Sequence, residues 1–330
     1  MKTISIVTPC YNEQDNAVEL CSRIRKAMAE FPQYRYEHVL IDNCSTDRTV
    51  AVLKELANQD SNIRIIVNAR DFGPMRSHMH AMFQASGDAV IMMASDLQDP
   101  PEMIGDFIRQ WEGGFPMVLA IKTASQENKV MFLIRKAYYA LINNLASIRT
   151  IENFTGFGLY DRRVVEIVKA FGDPYPYFRG IIAEIGLPHA EITFTQPRRL
   201  RGISKFSSFY KLYDVGMIAI TSLSKIPLRA VTFFGFVSSV LSFLVGLLYL
   251  VYKLVYWYSF SVGVAPLVIG LFFFSSVQML ALGIIGEYLG SVHTYVQRRP
   301  LVVERERVNF EFPPLTATQP PVSSNAGDSA

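Results

Sequence analysis

The chain has 330 residues, 50% of them hydrophobic, and a formal net charge of +3 at neutral pH. That length allows about two ordinary domains, and so small a positive balance argues against a nucleic-acid partner. Cys10, Cys21 and Cys44 form no Cys-x-x-Cys pair, and an odd number in a cytoplasmic segment implies reduced thiols.

At the N-terminus, MKTISIVTPCYNE has too short an apolar run for a signal peptide. It reads as a strand, TISIVTPC, that ends at Pro9. EQDNAVELCSRIRKAMAEF then carries Val18, Leu20, Cys21, Ile24, Ala27 and Met28 at helical spacing. EHVLIDN is a second strand, and STDRTVAVLKELANQ a second helix with Ser45 or Thr46 as N-cap. IRIIVNA, DAVIMMA and PMVLAIK are further strands, alternating with the helices MRSHMHAMFQAS, which closes near Gly87, and PPEMIGDFIRQWEGG. Alternation of this kind predicts an α/β fold with a parallel, doubly wound sheet. Ligands of such sheets bind outside the carboxyl ends of the strands. The polar loops that open at Pro9, Asp42, Arg70 and Asp96 all follow strands and are expected to share one rim.

Residues 124–147 read as a helix, either of the core or near a membrane or acceptor. ENFTGFGLYDRRVVEIV gives a glycine-containing turn or strand and another helix, and AEITFTQPRRLRGISKF a strand ending in a basic loop. SSFYKLYDVGMIAITSLSK suits an interfacial amphipathic helix. Residues 230–252 and 262–286 contain no charged side chain, and each is long enough to cross a hydrocarbon core of about 30 Å. Tyr249, Tyr252, Tyr256, Trp257 and Tyr258 form an aromatic belt between them. Lys205, Lys211, Lys225, Arg229, Arg298 and Arg299 flank the pair, against Lys253 alone in the connecting loop. The positive-inside bias therefore puts both long ends in the cytoplasm, with a multi-pass chain in the inner (plasma) membrane. PLVVERERVNFEF alternates as a strand would, and the Pro/Ser/Ala-rich tail from Pro313 reads as disordered.

TPCYNEQDN, VLIDNCSTDRT, RDFGPMRSHMHA, SDLQDPPE and RLRGISKF, followed by two spans, resemble membrane glycosyltransferases of family two, and within it the polyprenyl-phosphate sugar transferases. The likeness covers residues 1–305 or so; single motifs are weak, and their order after successive strands is what is specific. It implies a GT-A-like catalytic domain over 1–205, a juxtamembrane segment over 206–229, two transmembrane helices over 230–290, a C-terminal arm over 291–312 and a tail over 313–330. It also implies inverting transfer of a hexose, glucose or a relative, from a UDP-sugar to polyprenyl phosphate at a membrane-lipid surface. The arm is expected to pair with a neighbouring subunit in a homotetramer.

The opening question for the site is why the apolar strand DAVIMM empties into Asp96, Gln98, Asp99 and Glu102. A polar turn capping the strand is one answer. A divalent-cation site is the other, because carboxylates at a buried strand end are costly without a partner. By the resemblance, Asp96 and Gln98 hold Mg²⁺ or Mn²⁺, which stabilises the leaving nucleoside diphosphate. The family's further Asp, two places earlier, is Ala94 here; Asp99 or phosphate oxygens are the replacements considered. The resemblance puts Asp42 on the nucleotide base, lines the nucleoside with Pro9, Tyr11, Asn12 and Glu13, and adds Arg70 and Gly73 on the donor side. For Asn12–Glu13 a helix cap is the alternative. Arg199, Arg201, Ser204 and Lys205 match a family pattern for the acceptor phosphate, with Arg199 and Lys205 counted as catalytic beside Asp96; contact with lipid headgroups is the plain alternative. His78 and His80, two residues apart on a helix, do not share a face and read as structural. In TGFGLYDR, Gly156 and Gly158 stand where many relatives carry Asp and Arg. A phosphate monoester, with a second pKa near about 6, needs orientation more than a base. Glu152 and Asp161 are the nearest acids, and Asp161 is expected to start a helix. The rivals are an inactive nucleotide-sugar-binding scaffold, favoured by Ala94, and a transporter component, disfavoured because no ionisable residue enters the spans before Glu287.

Overall fold

The computed structural model describes residues 1–124, 151–174, 176–197, 226–255, 264–297 and 299–310. Among these, one compact unit holds every strand and the first six helices, and a second unit holds two long helices.

The strands are β1 (Thr3–Cys10), β2 (Arg35–Asp42), β3 (Ile63–Asn68), β4 (Ala89–Met92), β5 (Met117–Ala124), β6 (Phe154–Asp161), β7 (His189–Thr195) and β8 (Glu304–Val308). They form one sheet in the order β7-β5-β6-β4-β1-β2-β3-β8. β4, β1, β2 and β3 are mutually parallel. Covered on both faces, they read as continuous apolar runs: Ile4, Ile6, Val7, Val39, Leu40, Ile41, Ile65 and Ile66 are wholly buried. The sheet is mixed, because β6 lies antiparallel between β4 and β5, and β8 antiparallel against β3.

The helices are α1 (Ala17–Ala29), α2 (Thr49–Gln59), α3 (Pro74–Gln84), α4 (Ile104–Glu112, entered through a single 3-10 turn at Pro101–Met103), α5 (Arg162–Phe171) and α6 (Phe178–Ile185). α1 starts four residues later than its spacing predicts, since Glu13 O is taken by Asn16 N and Ala17 N, both at 3.0 Å. Ala17, Leu20, Cys21, Ile24 and Met28 make its buried face, while Val18 is exposed. α2 also starts late, at Thr49, and neither Ser45 nor Thr46 caps it; both are engaged elsewhere. Asp161 does start α5, accepting from Arg163 N at 3.0 Å. Into β4, Gly87 is obligatory: a Cβ there would lie 2.6 Å from Ser5 Oγ and 2.7 Å from Thr3 O.

The expected partner of the arm is corrected by the structure. β8 pairs with β3 of its own chain, Ile65 opposite Val308. Side chains fix it there: Glu304, buried, takes His80 Nε2 at 2.5 Å and Arg307, and Asn309 Nδ2 donates to Ala57 O and Ile63 O at 2.9 and 2.8 Å. The edge of β3 is thereby covered from within the chain, and β8 becomes the edge strand.

α7 (Ile226–Val255) and α8 (Val264–Val296) contain most of the two charge-free stretches. Among the described residues, one stretch, Phe273–Val296, is long and apolar enough to cross a membrane; it begins later than the 262–286 read from the sequence. The helix expected over most of 124–147, the juxtamembrane helix, the aromatic loop beyond Val255 and the tail lie outside the described residues.

Candidate active site

From β1 the chain steps outward through β2 and β3, then returns to place β4 on the other side of β1. That reversal opens a crevice at the carboxyl end of β1. β4 stops opposite Val7, three residues short of the end of β1 at Cys10. The loops after β1, β2, β3 and β4 all leave from this end. They carry Pro9, Tyr11, Asn12, Glu13, Asp42, Arg70, Gly73, Asp96 and Gln98.

Hydrogen bonds between the first two loops make them one piece. Asn12, in the left-handed region at φ 55°, accepts from Thr46 N at 2.8 Å and donates its own N–H to Ser45 Oγ at 2.9 Å. It is a staple, not a helix cap. Glu13 N donates to Thr49 Oγ1 at 2.8 Å, and Gln14 Oε1 accepts from Arg48 N at 2.9 Å. The Glu13 carboxylate, buried, accepts from Asn16 Nδ2 at 2.6 Å. Asp42 is wholly buried at the end of β2. Burial raises its pKa, and hydrogen bonds from the Ser45 hydroxyl and N–H (2.9 Å) act the other way. Pro9 and Tyr11 are half-buried and flank Cys10, which stands opposite Asp42 in the sheet.

The third loop is organised by a residue that the sequence reading passed over. Asn43 Oδ1 accepts from Ser77 Oγ at 2.8 Å, Phe72 N at 3.0 Å and Asn68 Nδ2 at 3.1 Å, and its Nδ2 donates to Asp71 Oδ1. Gly73 (φ 83°) donates to the same Asp71 oxygen at 2.8 Å. The Arg70 guanidinium sits 4.0 Å over the Phe72 ring and donates to Asp71 O at 2.9 Å. The available signal was an amide directly after Asp42, at the end of an apolar strand.

In the fourth loop the acids divide. Asp96 is half-buried, and its Oδ1 accepts Gln98 N at 3.2 Å. Leu97 between them is buried in the left-handed region, φ 59°, a conformation that costs a branched side chain about 1–2 kcal/mol. Gln98 Nε2 donates to Pro197 O at 3.2 Å, leaving Oε1 as the atom of that amide with affinity for a hard cation. Asp99 turns inward: its carboxylate accepts Ala94 N at 2.9 Å, and burial pushes its pKa up to about 7. Ala94, where the family's further Asp would be, is thus tied by its backbone to Asp99. Glu102 belongs to none of this; it forms a two-pronged bridge to Arg23 of α1 at 2.7 and 2.9 Å.

Among the described residues no group of three or more His, Cys, Asp or Glu could enclose a metal. Asp96 and Gln98 are hard oxygen donors, and they fit a cation that takes its other ligands from phosphate and water. His78 belongs to no such group and is kept neutral by burial, which lowers its pKa to about 4, and His80 is spent on Glu304. Arg199, Arg201, Ser204 and Lys205 lie outside the described residues.

A doubly wound sheet whose loops gather acids and an arginine at its switch point has the ligand-binding rim of such folds. The chain belongs to glycosyltransferase family two: the family model described as Glycosyl transferase family 2 matches residues 5–168. It is therefore a glycosyltransferase of GT-A-like α/β fold. It is 32% identical over 298 residues, 90% of this chain and 96% of the relative, to the SfII prophage-derived bactoprenol glucosyl transferase of Shigella flexneri. It is 31% identical over 313 residues, 94% of this chain and 98% of the relative, to an uncharacterized glycosyltransferase of Synechocystis. Among solved structures, glucosyl-3-phosphoglycerate synthase of Mycobacterium tuberculosis with Mn²⁺, UDP-glucose and phosphoglyceric acid is 19% identical, with a TM-score of 0.42 over 67% of this chain and 78% of that one. At that distance the likeness speaks to no residue of the site.

Proposed function

We propose that the protein transfers a hexose from a UDP-sugar to a polyprenyl phosphate at a membrane surface, with inversion at the anomeric carbon. The observation that carries this reading is the Asp96-Leu97-Gln98 turn at the switch point, where a buried leucine is held at φ 59° between two oxygen donors. Strain kept in a functional loop is explained when the geometry has a use.

In this reading Asp42 and the stapled Pro9–Glu13 segment bind the nucleoside, and Arg70 and Gly73 bind the diphosphate side. Asp96 and Gln98 hold Mg²⁺ or Mn²⁺, which when bound offsets negative charge on the leaving diphosphate. Arg199, Arg201, Ser204 and Lys205 orient the lipid phosphate, already largely dianionic at neutral pH with its second pKa near about 6. One of its oxygens forms the new bond to the anomeric carbon as the bond to the diphosphate oxygen breaks on the opposite face. No strong base is required, so Glu152 has no role in proton removal.

The domain boundaries at 205, 229, 290 and 312 and the membrane setting belong to the same proposal. Its support is exposed apolar surface: Phe233, Phe234, Phe236 and Leu248 on α7, and Leu267, Leu271, Met279, Leu280 and Leu282 on α8, are all exposed. Met279, Leu280 and Leu282 point around α8 in different directions, which suits lipid better than a single protein groove. Orientation by the basic flanks puts the catalytic unit in the cytoplasm.

The test is a donor screen. Purified protein is incubated with UDP-hexoses, polyprenyl phosphate and Mg²⁺ or Mn²⁺, and sugar-lipid is read by mass spectrometry. A metal-dependent sugar-lipid product is expected. UDP-sugar binding without product under any donor, metal or lipid would establish the scaffold instead, with Ala94 as its natural explanation. Within the active protein, Arg199→Ala and Lys205→Ala should raise KM for the lipid about tenfold or more while leaving UDP affinity near wild type. Loss of activity in Glu152→Gln with a mild Arg199→Ala would reverse the assignment of the acceptor site.

A further inference from the structure

Asn43 follows Asp42 directly, is 6% exposed, and takes no part in the reaction proposed above. Its orientation is unambiguous. The Phe72 N–H can only donate, so the atom it meets is Oδ1; the Asp71 carboxylate can only accept, so the atom facing it is Nδ2. Oδ1 takes three donors and Nδ2 meets one acceptor, and two of these four bonds end on the 69–73 loop.

At its start that loop is also held by Ala69 N, which donates to Val303 O at 2.9 Å. Asp71 Oδ1 receives Asn43 Nδ2 on one side and Gly73 N on the other, at 2.8 Å, which fixes the positive-φ turn into α3. Arg70, exposed, is steadied by Phe72 beneath its guanidinium and by Asp71 O. Asp71 and Phe72 are the two residues that Asn43 holds. We infer that Asn43 is a positioning residue for the nucleotide side of the site: its amide, paired with the Asp71 carboxylate, sets the loop that presents Arg70 and Gly73 to a nucleoside diphosphate. This rests on the reading of the rim given under Proposed function.

The chemistry has to come as a pair. Aspartate at 43 could accept from Phe72 N, Ser77 and Asn68, yet it would set two carboxylates against each other at 71 and push the loop outward. Exchanging the two residues restores the match. In N43D/D71N the like-charge contact is removed and an amide at 71 can donate back to the carboxylate at 43; Gly73 N, which shares Asp71 Oδ1 with Asn43 Nδ2 in the wild type, then has to turn to the amide's carbonyl oxygen.

The experiment uses the full chain in detergent, with UDP and Mn²⁺ as the probe. Expected are a rise of about tenfold or more in Kd for UDP in N43D, a smaller rise in D71N, and return to within about threefold of wild type in the exchange variant. KM for polyprenyl phosphate should stay constant across the series, which a general loss of structure would not allow. Hydrogen exchange at the Phe72 and Gly73 amides, read without nucleotide, should speed up in N43D and slow again in the exchange variant. If N43D binds UDP as wild type does, or the exchange variant is no better than N43D, the inference is overturned. If wild-type protein binds no UDP but the amides follow the expected order, the nucleotide reading has failed and the coupling of Asn43 to the loop stands. Should N43D not fold, D71N and the exchange variant decide: a double variant that binds UDP worse than D71N sinks the pairing.

Discussion

The two ends of the sheet treat buried charge in opposite ways. At the amino end Glu37, inside β2, is saturated: Ser5 Oγ at 2.5 Å, Ser86 N at 2.6 Å, Ser86 Oγ at 3.0 Å and the Arg64 guanidinium all converge on it. At the carboxyl end Asp42 and Asp99 sit in low-dielectric surroundings that raise their pKa values, and Asp96 stands half in solvent. Backbone strain follows the same division. Of the five non-glycine residues with positive φ among the described residues, Asn12, Cys44 and Leu97 lie in the loops of this rim. One end is finished by the protein alone, and the other keeps buried acids and costly backbone conformations, as a binding site must.

The largest effect that would sharpen this contrast is Asp96→Asn. Size is kept and charge removed, so transfer should fall about 10³-fold with the melting temperature unchanged. Normal turnover across a titration of divalent metal would show that the rim acid is not a ligand. Glu37→Gln is the mirror experiment. Breaking a buried, bonded ion pair costs about 3–5 kcal/mol, so the melting temperature should drop while kcat per folded molecule is preserved; an active-site defect at full stability would erase the distinction between the ends.

A weaker effect comes from the buried histidines. Burial lowers His38 to about pH 3 and His78 to about 4, from an ordinary 6.5. Both are neutral in the fold, so the stability they contribute is fully present above pH 6.5 and is lost as pH falls toward 4 and then 3. His38→Gln should flatten the decline of melting temperature between pH 6 and 4; an unchanged slope would place the acid sensitivity elsewhere. The smallest expected change is a gain. Cys44, half-buried at φ 65°, lies where glycine is unstrained, and Cys44→Gly should stabilise by about 0.5–1 kcal/mol in denaturant unfolding. Destabilisation there would mean that the Cys44 side chain supports the rim.

How much of this was legible in the sequence follows from the range of the interactions. β1 to β4 could be read because each is a local apolar run closed by polar residues. The mixed character of the sheet could not, since nothing in PLVVERERVNFEF says which edge it will meet. Ser45 and Thr46 looked like helix caps because the residues that claim them, Asp42 and Asn12, are a strand end and a turn 34 residues away. The acids and amide of the site could be read by type, and Asp96 and Gln98 lie on the expected rim. What escaped was the second layer: Asn43 behind Arg70, and Asp99 behind Ala94, where the choice of residue makes sense only beside a partner distant in space or turned back on its own loop.

The return of β8 to the sheet also sets the order in which the molecule can be made. Lys54 of α2 pairs at 2.8 Å with Glu306, 252 residues further along, so this contact must wait until both long helices have been synthesised. Until then β3 has a bare hydrogen-bonding edge, the sort of surface on which nascent chains stick to one another. Completion of the sheet is thereby coupled to the emergence of α7 and α8 from the ribosome, and a chain interrupted within them leaves that edge open.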